Sequence, residues 1–211
     1  MKTIKEHAEG FRKSLTAKGF HKKDVSLSVA IFTHLATLDT LLFPAKPARI
    51  EMCRVQHRGG FDAQYSKPGG GHREHFAIFV PGLHESWQRS VCELPCDGRS
   101  KMTMSRFALI IAVHELRHRL QFRLKGLRKF NAWNYTKASS SFVRRVGRFV
   151  QLVVRHERKK MRKDGWPASF IRRRTNTDEF DALVIEYVLT HHPRRIRSRK
   201  RILKLLRTEA C

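Results

Sequence analysis

Between Phe107 and Leu120 the chain carries Phe107, Leu109, Ile110, Ile111, Val113, Leu116 and Leu120, an apolar series that fits a helix with a substantial buried face. Thr103 or Ser105 stands where an N-cap is needed. Such a helix has to be packed into a core, so it fixes the centre of whatever domain forms around it. Inside it lies His114-Glu115-Leu116-Arg117-His118, an HExxH motif. Four residues apart on a helix, His114 and His118 share a face, where two imidazoles can bind one zinc ion while Glu115 reaches a water on that metal. That is the chemistry of metal-dependent hydrolysis. The plainer reading of the same residues is a pair of partly exposed histidines on an amphipathic helix.

At 211 residues with 41% hydrophobic residues, the chain can bury a sizeable core and is too apolar to be wholly disordered. Its charge is unusual. Lys and Arg number 44 against 18 Asp and Glu, a formal +26. Residues 1–100 hold 15 basic and 10 acidic residues, whereas residues 101–211 hold 29 and 8. A surplus concentrated in one half implies a polyanionic partner, nucleic acid first and an anionic membrane surface second, against the alternative of a basic surface that merely keeps the protein soluble. Residues 119–177 hold 18 Lys and Arg against Glu157 and Asp164, and a second basic cluster runs from Arg194 to Arg207. Arg144-Arg145, Arg155, Arg158-Lys159-Lys160, Arg162-Lys163 and Arg172-Arg173-Arg174 are grouped closely enough to neutralise several phosphates at once. Phe142, Val143, Val146, Phe149, Val150, Val153 and Val154 recur among them at helical spacing, which gives one core face and one basic face. Trp133, Tyr135 and Trp166 are able to stack on bases, although general burial preference favours the core for them. No zinc-finger or RNA-recognition signature is present, so contacts to nucleic acid are expected to be mainly to phosphate, with weak sequence specificity.

Cys53, Cys92, Cys96 and Cys211 include no CxxC pair, and Cys92 with Cys96 alone makes a weak metal site, so free thiols in a reducing compartment are expected. Met1 to Lys23 lacks the apolar core of a signal peptide. Val25 to Phe43, the most apolar stretch, is interrupted by Thr33, His34, Thr37, Asp39 and Thr40 and reads as a buried helix rather than a membrane span. A cytoplasmic location is the expectation.

The spacing predicts a polar, basic helix over residues 2–18, ended near Gly19, and a second helix, with Asp24 as its cap, running to about Leu42 before Pro44 and Pro47. Ile50 to Val55, Phe61 to Tyr65 and His75 to Val80 are strand candidates around a turn at Lys67 to Gly71, together an expected small antiparallel sheet. From Ser105 onward the chain reads as helical, with breaks near Gly126, near Lys137 to Ser141 and at Gly165-Trp166-Pro167. Asn176 or Thr177 can cap a helix from Asp178 to about Thr190, and a last basic helix is expected over Arg195 to Arg207.

A helix, a small sheet, an HExxH helix and a later helix that opens with a carboxylate make an order that resembles the zincin-like metallopeptidases of the gluzincin type. In that family a sheet strand borders the active-site cleft and takes extended peptide by strand addition, and His75 to Val80 is the segment the resemblance assigns to this task. The family's third zinc ligand is a Glu that opens an E-x-x-A pattern on a later helix, and Glu179-Phe180-Asp181-Ala182 matches it. The family often has an Asp after that Ala, where this chain has Leu183, and it carries uncharged residues where Arg117 and Arg119 stand here. Both arginines are expected to face outward.

Chemistry also asks for Glu179. A catalytic zinc takes three protein ligands and one open position, and the histidines supply two. Asp178 and Glu179 are equally good capping charges in a first helical turn. Glu186 is the runner-up ligand, and His156, His191 and His192 are the imidazole alternatives, which would shift the likeness towards the SprT-like proteases. Tyr187, His191 or an Arg is the expected oxyanion donor.

The reading is an α+β, zincin-like fold: an N-terminal helical segment (1–48), a catalytic domain (49–192) with a basic helical insertion at about 119–174, and a basic C-terminal helix (193–211). The implied function is a zinc-dependent metallopeptidase with His114, His118 and Glu179 as ligands and Glu115 as the catalytic base. It would act on a protein or peptide substrate near nucleic acid. The alternatives are a non-enzymatic nucleic-acid-binding protein and, less favoured, a membrane-surface protein that uses the apolar side of the last helix, Ile196, Ile202, Leu203, Leu205 and Leu206.

Overall fold

The computed structural model describes residues 3–55, 62–69, 73–93, 102–123, 141–174, 177–191 and 198–207. The fold is α+β, mostly helical with one small sheet. The chain divides into two compact units, Met1–Leu116 and Arg117–Cys211, with the division falling within the motif helix.

In the first unit, α1 (Ile4–Ala17) begins at a capping box in which the Thr3 hydroxyl accepts from the Glu6 amide and the Glu6 carboxylate accepts from the Thr3 amide. Those bonds from Thr3 hold the Glu6 carboxyl below its ordinary range. Gly19, with φ +77°, turns the chain into α2 (Lys22–Leu42). By length and composition α2 is able to cross a bilayer. Here its Val25, Leu27, Ile31, Leu35 and Leu38 are buried, and it packs against α1 and the sheet. Each such side chain removed from water stabilises the unit by about 1.5–3 kcal/mol. Asp24 does not cap α2, whose N-cap is His21 without a side-chain bond.

The strands are β1 (Arg49–Cys53), β2 (Ala63–Ser66) and β3 (His75–Phe79), in the order β1-β3-β2. The sheet is mixed rather than antiparallel, with β2 antiparallel and β1 parallel to β3. The most apolar strand takes the centre: Phe76, Ala77, Ile78 and Phe79 are all buried. β1, carrying Arg49 and Glu51, is left at an edge, and it meets β3 in the parallel sense.

α3 (Leu83–Glu93) was not expected from the sequence. It follows Pro81-Gly82 without a local capping side chain, and its cap is remote. The Asp24 carboxylate on α2 accepts from the His84 amide at 2.6 Å. α4 (Met104–Arg123) is the motif helix, and of the two expected caps Thr103 serves: its hydroxyl accepts from the Arg106 amide at 3.2 Å.

In the second unit lie α5 (Ser141–Lys163), α6 (Ala168–Arg174), α7 (Thr177–His191) and α8 (Arg199–Arg207). α5 packs against α6 and α7. Its Val150 and Val154 are buried while Arg148, Arg155, Lys159 and Arg162 are exposed, so the core face and the basic face separate along it. On α8, Ile202 and Leu206 are buried and Arg199, Lys200, Arg201, Lys204 and Arg207 are exposed. Trp133, Tyr135, Asn176, His192, Arg194, Ile196, Cys96 and Cys211 lie outside the described residues.

Candidate metal centre

The motif is placed by a helix whose apolar residues anchor it: Ala108, Ala112, Val113 and Leu116 are fully buried. α4 runs unbroken through the motif, so helical geometry alone sets His114 one turn before His118 on the same face. Opposite His118 stands Glu179, in the first turn of α7, with its Oε1 3.6 Å from His118 Nε2. Ligand atoms of His114, His118 and Glu179 all lie within 4.8 Å of one another, and each side chain is half-buried. Among the described residues this is the one His, Cys, Asp and Glu cluster able to hold a metal ion. It joins the same three residues that the sequence motif and the E-x-x-A pattern pick out.

The separation between His118 and Glu179 is too long for a hydrogen bond. It fits two ligands of one ion: donors about 2.0–2.1 Å from a common tetrahedral centre lie about 3.3 Å apart. The orientation of His118 agrees. Its Nδ1 is 3.1 Å from Gln121 Oε1, one helical turn on. In the tautomer with the proton on Nδ1, that amide oxygen accepts from it and Nε2 is the nitrogen offered to a metal on the Glu179 side. An outer partner of this kind is what keeps a ligating imidazole in one tautomer and one orientation. Gln121 was missed in the sequence, although its position three residues after His118 places it on the same helical face.

Glu115 is buried, and its Oε2 accepts from the Tyr65 amide at 2.6 Å. The Phe79 amide donates to the Asp62 carbonyl, so the hydrogen-bonded pairs of the β2–β3 ladder fall at 62/79, 64/77 and 66/75. Tyr65 therefore points its N–H away from β3, at the outer edge of β2, and the Glu115 carboxylate meets that edge. The Tyr65 hydroxyl donates to Glu74 Oε1 at 2.7 Å, fixing the strand from its other end. The strand next to Glu115 is thus β2. His75 to Val80, the segment assigned to peptide binding, forms the central strand, and both of its edges are already paired, so it has no edge to add a peptide to.

Arg117 and Arg119 do not face outward. Both are completely buried, and Arg117 Nη1 donates to the Leu206 carbonyl in the last turn of α8. A cation is favoured at that end of a helix, where carbonyls lack intrahelical partners. Among the other ligand candidates, Glu186 is half-buried two turns along α7 from Glu179 and does not join the cluster; Tyr187, an expected oxyanion donor, is half-buried next to it in the chain. His156 is exposed on α5. The His191 and Cys92 side chains lie outside the described set. Cys53 is a free, half-buried cysteine whose thiol is pushed up by burial and further by the Glu51 charge, which disfavours the thiolate a metal would need.

No family model, curated protein or solved structure matches the chain.

Proposed function

We propose that the protein is a zinc-dependent metallopeptidase of zincin-like type, working inside the cell and held near nucleic acid by its basic second unit. The observation that carries the reading is the convergence of His114, His118 and Glu179 on one point, with His118 turned towards it by Gln121. The donor set, two imidazoles and one carboxylate, is that of a catalytic zinc with a position left open. When bound, zinc supplies a lowered water pKa and a Lewis acid for the scissile carbonyl.

The remaining work falls to side chains of this chain. Glu115 takes a proton from the attacking water and delivers it to the leaving amine, as general base and then general acid. Its bond from the Tyr65 amide fixes one carboxylate oxygen, so the side chain is oriented before substrate arrives. The outer edge of β2 offers main-chain groups to an extended peptide, which would then pass beside Glu115. Proteins bound to DNA or RNA are the substrates that fit both a peptidase site and a cationic surface.

One observation favours a second reading, a non-enzymatic nucleic-acid-binding protein. The 2.6 Å bond between Glu115 and Tyr65 gives the glutamate a structural use that needs no catalysis. Glu115→Gln separates the two, because a glutamine oxygen still accepts from the Tyr65 amide. The peptidase reading predicts a 10²–10⁴-fold lower kcat on a fluorogenic peptide library, the range for removing a general base, with zinc content unchanged. Hydrolysis at the wild-type rate would defeat it.

A further inference from the structure

Trp166 is 49% exposed, although an indole is ordinarily among the most buried of side chains. Its placement is fixed. Gly165, with φ +74°, closes the end of α5, and the Trp166 amide donates to the Met161 carbonyl at 3.0 Å. Pro167 follows and its carbonyl accepts from the Ile171 amide at the start of α6. The Phe170 ring stacks on the indole at 4.8 Å between centroids and 19° between planes. Stacked against Phe170, the indole still keeps about half of its surface exposed.

Cations lead to this ring. Arg155, Lys159 and Arg162 are exposed at i, i+4 and i+7 along one face of α5, a track about 10 Å long at 1.5 Å per residue. Exposed Lys163 and Arg172 flank the turn from the two helices, and exposed Asp164 lies within it. From these observations we infer that the turn at Trp166 is a binding site for single-stranded nucleic acid: the α5 track takes the phosphates and the Trp166 face takes an unpaired base. This inference rests on the proposed nucleic-acid contact and makes it specific.

The chemistry selects that partner. Bases in a duplex have their faces covered by their neighbours, so an exposed aromatic face gains contact only from unpaired bases. A membrane surface asks for a continuous apolar side. The apolar sides of α5 and α8 are turned inward, at Val150 and Val154 and at Ile202 and Leu206. The exposed large hydrophobics described in the second unit, Phe122, Leu152 and Trp166, lie on three different elements.

The test is fluorescence anisotropy of the full chain with a labelled 20-nucleotide oligo(dT), a 20-bp duplex, and vesicles containing phosphatidylserine, for wild type, Trp166→Ala and Trp166→Phe. Removing one base–aromatic stack is expected to weaken single-strand binding about tenfold. Duplex binding should change less than about twofold and the salt slope should stay constant, because no charge is removed. Trp166→Phe should retain most of the affinity. Equal losses on both nucleic acids, or no loss, would overturn the inference while leaving the basic surface as a phosphate binder. Failure of wild type to bind either nucleic acid would remove that reading as well. Preference for vesicles, lost in Trp166→Ala, would overturn the inference and assign the turn to membranes.

Discussion

The two units bury charge with opposite sign. In Met1–Leu116, buried carboxylates accept from backbone amides outside their own helix: Asp24 from His84, Asp39 from Ala48 at 2.8 Å, and Glu115 from Tyr65. In Arg117–Cys211 the fully buried ions are cations, Arg117 and Arg119, and Arg117 donates to a backbone carbonyl. Overall charge is positive in both units, weakly in the first with 17 Lys and Arg against 11 Asp and Glu and strongly in the second with 27 against 7. The difference teaches that each unit ties its elements together with the charge it holds inside. A charged residue in this chain is therefore evidence of surface or chemistry only once its partner is known. Glu115 stands at the meeting of the two patterns, an internal tie that also lies in the motif.

The sharpest way to break this comparison is Arg117→Ala. It removes a fully buried side chain and leaves the Leu206 carbonyl without its donor, so a loss of about 3 kcal/mol is expected, the sum of cavity and unmet hydrogen-bond effects. Exposed Arg148→Ala should stay within about 0.5 kcal/mol. Urea titration followed by circular dichroism checks both. Equal effects would mean that the buried cation is no tie at all.

Gln121→Ala sharpens the comparison at the site, where polar contacts orient a ligand rather than join elements. Zinc affinity should fall about 10–100-fold, the range for loss of an outer-shell partner, with stability little changed. Competition against a chromogenic chelator measures it. An unchanged affinity would show that His118 needs no such support.

Asp24→Ala tests the first unit's side with the smallest expected effect, about 1 kcal/mol, as for loss of a helix cap. Asp24→Asn keeps an acceptor oxygen and should recover most of it. Amide exchange at His84 reports the cap directly. Protection that survives Asp24→Ala would locate the restraint elsewhere.

Much of this was legible in sequence wherever the cause is local. Periodicity and breakers gave α1 up to Gly19, α2 up to Leu42 and the motif helix with its Thr103 cap, because each signal lies within a few residues of its effect. The three strands were legible for the same reason. Remote causes escaped. α3 takes its cap from Asp24, 60 residues earlier, and the parallel pairing of β1 depends on β3 claiming the sheet's centre. Arg117 looked like surface because its partner, Leu206, is 89 residues away. Trp166 was expected in the core on burial preference and is half exposed, stacked on Phe170 at the turn after α5. For the metal cluster the motif supplied His114 and His118 through helical spacing. Glu179 came from the pattern of a resembled family, and only tertiary structure brings it within 3.6 Å of His118.

The most direct test of the central claim is the zinc content of untagged protein purified without chelator, measured by mass spectrometry beside His118→Ala and Glu179→Ala. The account predicts about one zinc per folded wild-type chain and loss of it in both variants, as expected for a three-ligand site. A folded wild-type protein that carries no zinc and cannot be reloaded would contradict it and leave the cationic surface as the function.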